Sequence, residues 1–184
     1  PLPLDGPVTF KLVPGESQVS YEVGETFLNQ NNRFNLAVGV TTELSGDIQV
    51  DLSNPQNSVV GPISVDISKF TSDSNRRDGV IRDRFLESAA YPIATFTPTA
   101  INGLPASYTP GQELTFQVTG DLKVRTATQP VTFDVTAKIE GEQLTGSATT
   151  TILMSAFEVG PITIANILFT EDEARLTFNF VARP

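Results

Sequence analysis

Apolar and polar residues alternate with a period of two along most of this chain, the pattern of β-strands that bury one face and wet the other. Ten strands are predicted on that rhythm: Thr9 to Val13, Ser17 to Gly24, Phe34 to Val40, Glu43 to Leu52, Val59 to Phe70, Ile93 to Ile101, Glu113 to Val124, Gln129 to Glu140, Gln143 to Met154 and Ala174 to Ala182. Turn signals divide them: Pro14-Gly15, Asn54-Pro55, Asn102-Gly103, Pro110-Gly111, Gln129-Pro130 and Gly141-Glu142. Alternation also assigns faces. Val19, Tyr21 and Val23 share a side, as do Ile48, Val50 and Leu52, then Ile63, Val65 and Ile67. Leu114, Phe116 and Val118 continue the pattern, followed by Val131, Phe133 and Val135 and by Leu176, Phe178 and Phe180. The positions between are mostly Thr, Ser, Gln, Asp, Glu and Lys, so the outer face meets water.

One segment breaks the rhythm. In Arg76 to Phe96, RRDGVIRDRFLESAAYPIATF, Asp78 and Arg82 stand four apart with the acid first, and Val80, Ile81, Phe85 and Leu86 form a stripe at helical spacing. A short helical insert near residues 76–87 is therefore predicted, closed by Tyr91-Pro92 before Ile93 resumes as strand. Several strands run to ten residues or more, beyond the usual length of about 5 to 6. Long tilted strands suit a closed antiparallel barrel, which at about eight strands is either filled by side chains or holds one small ligand. A two-sheet sandwich satisfies the same alternation.

Composition narrows the chemistry. The chain has 184 residues, room for one domain, here taken as 8–184 behind a Pro-rich tether at 1–7. It contains no Cys and no His, which removes thiol chemistry, Ser-His-Asp catalysis and the usual zinc and copper sites. A formal net charge of -9 without a basic run argues against nucleic acid and disfavours an anionic membrane face. No apolar stretch approaches the roughly 18 to 20 residues of a membrane span.

The order of motifs resembles the YceI-like family of lipocalin-like, polyisoprenoid-binding bacterial proteins. The likeness is carried by Phe10-x-Leu12, Glu16-Ser17-x-Val19-x-Tyr21-x-Val23, Ser45-Gly46-x-Ile48-x-Val50-Asp51, Val65-x-Ile67 and the Arg76 to Phe96 segment, with its Phe85-Leu86-Glu87 and Pro92-Ile93-x-x-Phe96. Val118-x-Gly120-x-Leu122-x-Val124 followed by Pro130-Val131 completes it. Two departures stand out: Glu16 occupies a position where the family often has His, and Met154-Ser155 replaces a basic residue before the Phe157 turn. The resemblance implies an all-β, eight-stranded antiparallel lipocalin-like barrel with the short insert. It also implies an elongated apolar cavity for an isoprenoid lipid or quinone, a periplasmic or extracellular location (with membrane tethering through a removed N-terminal segment as a variant), and homodimers.

The side chains permit that role. Phe occurs 12 times against 3 Tyr and no Trp, an aromatic surface mostly without polar handles. Holding a hydrocarbon takes no acid, base, metal or cofactor, only apolar wall: burying on the order of 600 Å² yields roughly 15 kcal/mol before ordering costs. The candidate ligand-binding positions are Tyr21, Val38, Ile48, Val65, Ile67, Phe85, Leu86, Phe96, Phe116, Phe133, Phe157 and Phe178, with Phe85, Leu86 and Phe96 as contacts of a lid formed by the insert. The same side chains equally fill a solid barrel, whose function would then lie on its outer face or on the Phe27 to Phe34 loop, as an envelope interaction module. Arg76, Arg77, Arg82 and Arg84 are expected to pair with Asp78, Asp83 and Glu87 rather than with a ligand head group. Glu171-Asp172-Glu173 reads as a solvated turn before it reads as a calcium site. No spacing marks a carboxylate pair for catalysis, so a non-enzymatic protein is expected.

Overall fold

A computed structural model describes residues 2, 3 and 5–184 of the chain. Of the expected tether, Pro1 and Leu4 lie outside the described residues, Leu2 packs against the core and Pro7 opens the first strand. Thirteen strands form one curled antiparallel sheet, where eight were expected. In chain order they are β1 (Pro7–Leu12), β2 (Gln18–Phe27), β3 (Arg33–Thr41), β4 (Leu44–Ser45), β5 (Asp47–Asp51), β6 (Val59–Val60), β7 (Ile63–Asp66), β8 (Ile93–Asn102), β9 (Leu114–Val124), β10 (Ala127–Glu140), β11 (Gln143–Leu153), β12 (Thr163–Ile164) and β13 (Leu168–Arg183). Two of the extra strands come from breaks in longer apolar runs. Gly46 separates β4 from β5, and Gly61-Pro62 separates β6 from β7, because neither dipeptide region sustains a ladder.

The neighbours run β4-β7-β8-β9-β10-β11-β13-β1-β5-β6, with β2 on the other side of β13 and β3 beyond it. β13 is the organiser: it pairs with β11 from Glu173 to Ala182, with β2 from Leu168 to Asn179, with β12 at Leu168 and Phe169, and with β1 at Ala182 and Arg183. The free side of β3 meets the rest of the wall near its end, where Val40 and Thr71 exchange two backbone hydrogen bonds of 2.9 Å and Thr41 Oγ1 donates to Asp66 O at 3.2 Å. The Glu171–Glu173 run is not a turn but the bulge of β13, a register shift between Thr170 and Ala174, and there Asp172 accepts hydrogen bonds from Ser155 N (2.7 Å) and Oγ (2.5 Å). Pro130, expected in a turn, lies within β10. It is tolerated because residues 129–133 pair with β9 alone, leaving one edge without a ladder to interrupt.

Inward side chains follow the predicted parity and include the buried Phe10, Leu12, Val23, Ile63, Phe96, Val118, Val135, Ile139 and Phe180. Glycine and aromatic positions are matched across strands. The Tyr21 ring covers Gly39 and the Phe180 ring covers Gly146, each where a methyl group would collide with it. Phe96 covers Gly120 in the same way, 2.7 Å from where a Cβ would stand. Rings that lie flat on bare backbone leave the middle of the sheet's concave side open.

The insert forms as predicted, with a change of pitch. Ser74 caps the α-helix Asn75–Val80 by accepting from Arg77 N at 3.2 Å, and Ile81–Phe85 continues as a π-helix ended by Leu86 N donating to Ile81 O.

Candidate functional site

The inner face of the curled sheet encloses a cavity of about 510 Å³, within the 300 to 1,000 Å³ usual for small-molecule sites. It runs the length of the strands. At one end lie the insert residues Arg77, Val80, Ile81, Phe85 and Leu86, with Ile162, Ile164 and Ile167 of the segment around β12. At the other end lie Leu52, Pro55, Leu104, Tyr108 and Ile139. Among the lining residues Asn29, Gln30 and Arg76 are exposed, and all three stand at the insert end, which makes that end the mouth.

Of the positions named from sequence, Tyr21, Ile48, Val65, Ile67, Phe85, Leu86, Phe96, Phe116, Phe133, Phe157 and Phe178 line this cavity. Val38 does not. On β3 the inward parity belongs to the buried Ala37, Gly39 and Thr41, so Val38 faces out and is 38% exposed beside Phe34 and Leu36. Hydrophobicity alone pointed to the wrong face, because on this strand the outer side is the more apolar one. The lining residues not named from sequence are mostly larger aliphatic side chains such as Val118 and Leu122, but they include five alanines, Ala37, Ala94, Ala137, Ala148 and Ala174. Their signal was present as alanine at inward parity, and it reports the space that larger residues would fill.

A buried ion pair enters the wall at the insert end, while Ser58, Tyr108 and Lys138 add polar atoms elsewhere along it. Glu25 on β2 is 3% exposed, and its Oε1 accepts from Arg77 Nη2 at 2.5 Å and Asn35 Nδ2 at 2.8 Å. Arg77 reaches it from the insert and also holds Asp73 Oδ1 at 2.6 Å and Ser72 Oγ at 3.1 Å. The ion pair therefore ties the insert to the sheet. Asp78, 6% exposed, accepts from Ser72 N and Oγ. Tyr21 stands below, edge-on to Phe70 at 5.1 Å, and its hydroxyl takes no hydrogen-bond partner from the described residues. Burial, reinforced by the Asp78 charge, pushes its pKa up to about 12, so it faces the cavity as a neutral donor.

The other end of the insert is latched by Arg125 in the β9–β10 turn. Its guanidinium pairs with Glu87, donates to Phe85 O (3.3 Å) and Glu158 O (3.1 Å), and lies 6.0 Å from the Tyr91 ring. Phe85 O belongs to the last turn of the insert, where a cation is favourable. The Phe157 turn, which has no basic residue of its own, thus receives one from Arg125. These contacts correct the expected pairing of the arginines within the insert. Arg77 pairs with Glu25 and Asp73, Asp78 with Ser72 and Glu87 with Arg125, while the side chains of Arg76, Arg82 and Arg84 make no ion pair or hydrogen bond among the described residues. The segment is a π-helix from Ile81, so the spacing of an α-helical ion pair does not hold there. Glu16, at the position where the resemblance suggested His, pairs with Arg183 at 2.6 Å on the far side of β1.

Comparison with known proteins agrees with this architecture. A UPF0312 protein of Pseudomonas putida (strain GB-1) is 32% identical over 133 residues, covering 67% of this chain and 64% of that protein. Protein YceI of Escherichia coli O157:H7 is 30% identical over 136 residues, covering 71% and 64%. The chain thus spans just under two thirds of the length of these relatives. In fold, the chain is similar to Burkholderia cenocepacia BcnA, with a TM-score of 0.70 at 23% identity over 92% of this chain and 98% of that one. A polyisoprenoid binding domain from Saccharophagus degradans, implicated in plant cell wall breakdown, gives 0.69 at 12% identity over 95% and 97%. The YceI-like domain model matches residues 10–182, from the fully buried Phe10 of β1 to the fully buried Ala182 of β13. A match that begins and ends in the core takes in sheet, insert and cavity together, and the chain belongs to the YceI-like domain family.

Proposed function

We propose that the protein binds a long apolar lipid, a polyisoprenoid, isoprenoid quinone or similar molecule, inside the curled sheet, and carries or stores it without chemical change. The observation that carries this reading is the cavity itself. Its lining is mostly aliphatic and aromatic, with few polar side chains, and includes small residues that leave space within it. The enclosure is read as an eight-stave barrel of β2, β3, β7, β8, β9, β10, β11 and β13, with the Val40–Thr71 bridge at its seam. A water-sized group takes about 30 Å³, so 510 Å³ suits roughly 17 carbon-sized groups. A chain of about C15 to C20 is enclosed on that arithmetic, and a longer polyprenyl tail protrudes at the mouth. The neighbour from Saccharophagus degradans, a polyisoprenoid binding domain, supports the ligand class. A periplasmic or extracellular setting, where a lipid must cross water between membranes, goes with this role.

The test is to purify the protein from a bacterial host, extract it with organic solvent and identify bound lipid by mass spectrometry, then titrate the stripped protein with a polyprenyl ligand. Co-purified isoprenoid and saturable uptake are expected. Absence of both would leave the cavity without a guest and return the function to the outer surface.

A further inference from the structure

Resting on the lipid-binding reading, a second question is where such a guest enters. Large apolar side chains exposed to solvent gather at the mouth: Leu28 beside Asn29, Phe34 at the start of β3, Tyr91 and Ile93 after the insert, Leu153 at the end of β11 and Phe169 at the start of β13, between 37% and 61% exposed. In register, Phe34 and Phe169 flank Thr26, one position from the end of β2, so the apolar positions encircle this end of the sheet. Exposed apolar side chains gathered at one end of a fold are a mark of an interaction site.

Charge is segregated at the same end. Arg76, Arg82 and Arg84 on the insert, Lys69 just before it and Arg33 at the start of β3 have no ion-pair partner among the described residues, against two such acids on the insert, Asp78 and Asp83, of which only Asp83 is exposed. The whole chain carries a net charge of -9. Of the other acids at this end, Glu25, Asp73 and Glu87 are in ion pairs, Asp66 and Asp78 accept hydrogen bonds from Ser68 and Ser72, and Glu158 beside Arg125 is exposed without an ion pair among the described residues. The acidic bulge Glu171–Glu173 sits on the β13 side of the mouth.

We propose that the insert side of this end docks on an anionic lipid bilayer, with the arginines among the head groups and Leu28, Tyr91 and Ile93 in the acyl boundary. Docking is tilted, insert side down, since the β13 bulge is repelled. It places the cavity mouth against the membrane, so that an apolar guest passes between bilayer and protein without crossing bulk water. The cationic side chains supply attraction and the apolar ones anchorage, the two components of interfacial binding.

The experiment pellets the ligand-stripped chain with vesicles of equal phosphatidylglycerol and phosphatidylcholine, and with phosphatidylcholine alone, at low and high salt. Binding to the anionic vesicles that weakens with salt is expected. Arg82→Gln with Arg84→Gln should lower partitioning about fivefold per arginine, and Leu28→Ser with Ile93→Ser should lower it at both salts. Equal partitioning into both vesicle types, or full binding by the arginine variant, overturns the proposal. So does failure to pellet joined to a dimer, seen by light scattering, that the Leu28→Ser and Ile93→Ser variant abolishes, because the surface then belongs to a second copy. Uptake of a polyene fatty acid injected in solvent is measured separately and should be unchanged in both variants. Docking by wild type without any such uptake supports the surface and removes the lipid-cargo reading.

Discussion

Replacing Ala148 by leucine distinguishes a hollow sheet from a filled one. Ala148 on β11 lies in register between Val135 of β10 and Phe178 of β13, is 6% exposed, and lines the cavity. Leucine adds three carbons, about 90 Å³ at about 30 Å³ per group, under a fifth of the 510 Å³ cavity. A guest then loses about three methylene contacts at about 0.8 kcal/mol each, near 2.4 kcal/mol, which weakens binding about 50-fold. The protein itself gains. Filling void at about 24 cal/mol per Å³ contributes up to roughly 2 kcal/mol, or about 4 to 8 °C in melting temperature for a chain of this size. In a filled core the same substitution costs about 1 to 3 kcal/mol through overpacking. The assay is thermal unfolding of the stripped protein followed by circular dichroism, together with titration of a polyene fatty acid that fluoresces on leaving water. A lowered melting temperature with undiminished uptake would refute a hollow interior.

Further expectations concern the polar wall and the insert. Arg77→Met leaves the Glu25 carboxylate buried without its partner, at a cost of about 3 to 5 kcal/mol in urea unfolding; adding Glu25→Leu should recover most of it. The unfolded tyrosine loses its proton near pH 10 and folded Tyr21 near pH 12. The folded state therefore holds the extra proton in that window, so stability is full below pH 10 and falls toward pH 12. Tyr21→Phe should remove that part of the fall in urea midpoints across the range. Gly39→Ala drives a methyl into the Tyr21 ring and should destabilise by about 1 to 3 kcal/mol, whereas in a Tyr21→Ala background it should cost almost nothing. Arg125→Met withdraws the latch on Phe85 O and Glu158 O, and hydrogen exchange should then rise in residues 81–88 while β9 stays protected.

Much of this architecture was legible in the sequence because period-two alternation is strict wherever one face is buried. The insert was legible for the same reason in reverse, through its apolar stripe and the Tyr91-Pro92 stop. What escaped was information that alternation does not carry. On β3 the outer face is apolar and the inner face is alanine and glycine, so Val38 was placed inside by its hydrophobicity when parity and residue size pointed outward. The hollow itself is recorded in small residues on four other strands, Ala94, Ala137, Ala148 and Ala174, and in glycines under aromatic rings from adjacent strands. These look unremarkable one at a time. The Glu25–Arg77 pair joins residues 52 apart in the chain, and no local spacing encodes that distance. The free arginines were misassigned because intrahelical pairing assumes an α-helical turn, and the helix changes pitch at Ile81.

β13 also sets when the molecule can exist at all. It follows every other strand in the chain, yet it supplies the inner neighbour of β2, β11 and β12 and an edge to β1. Ser17 waits 164 residues for its hydrogen bonds with the Val181 backbone. Until residues 168–183 have been synthesised, β2–β3 on one side and β7–β11 on the other remain two wings without a hinge strand, their apolar faces open. Contacts so distant in sequence form slowly. The two wings therefore close into one sheet only when β13 is laid between them, and their apolar faces stay open until that last step.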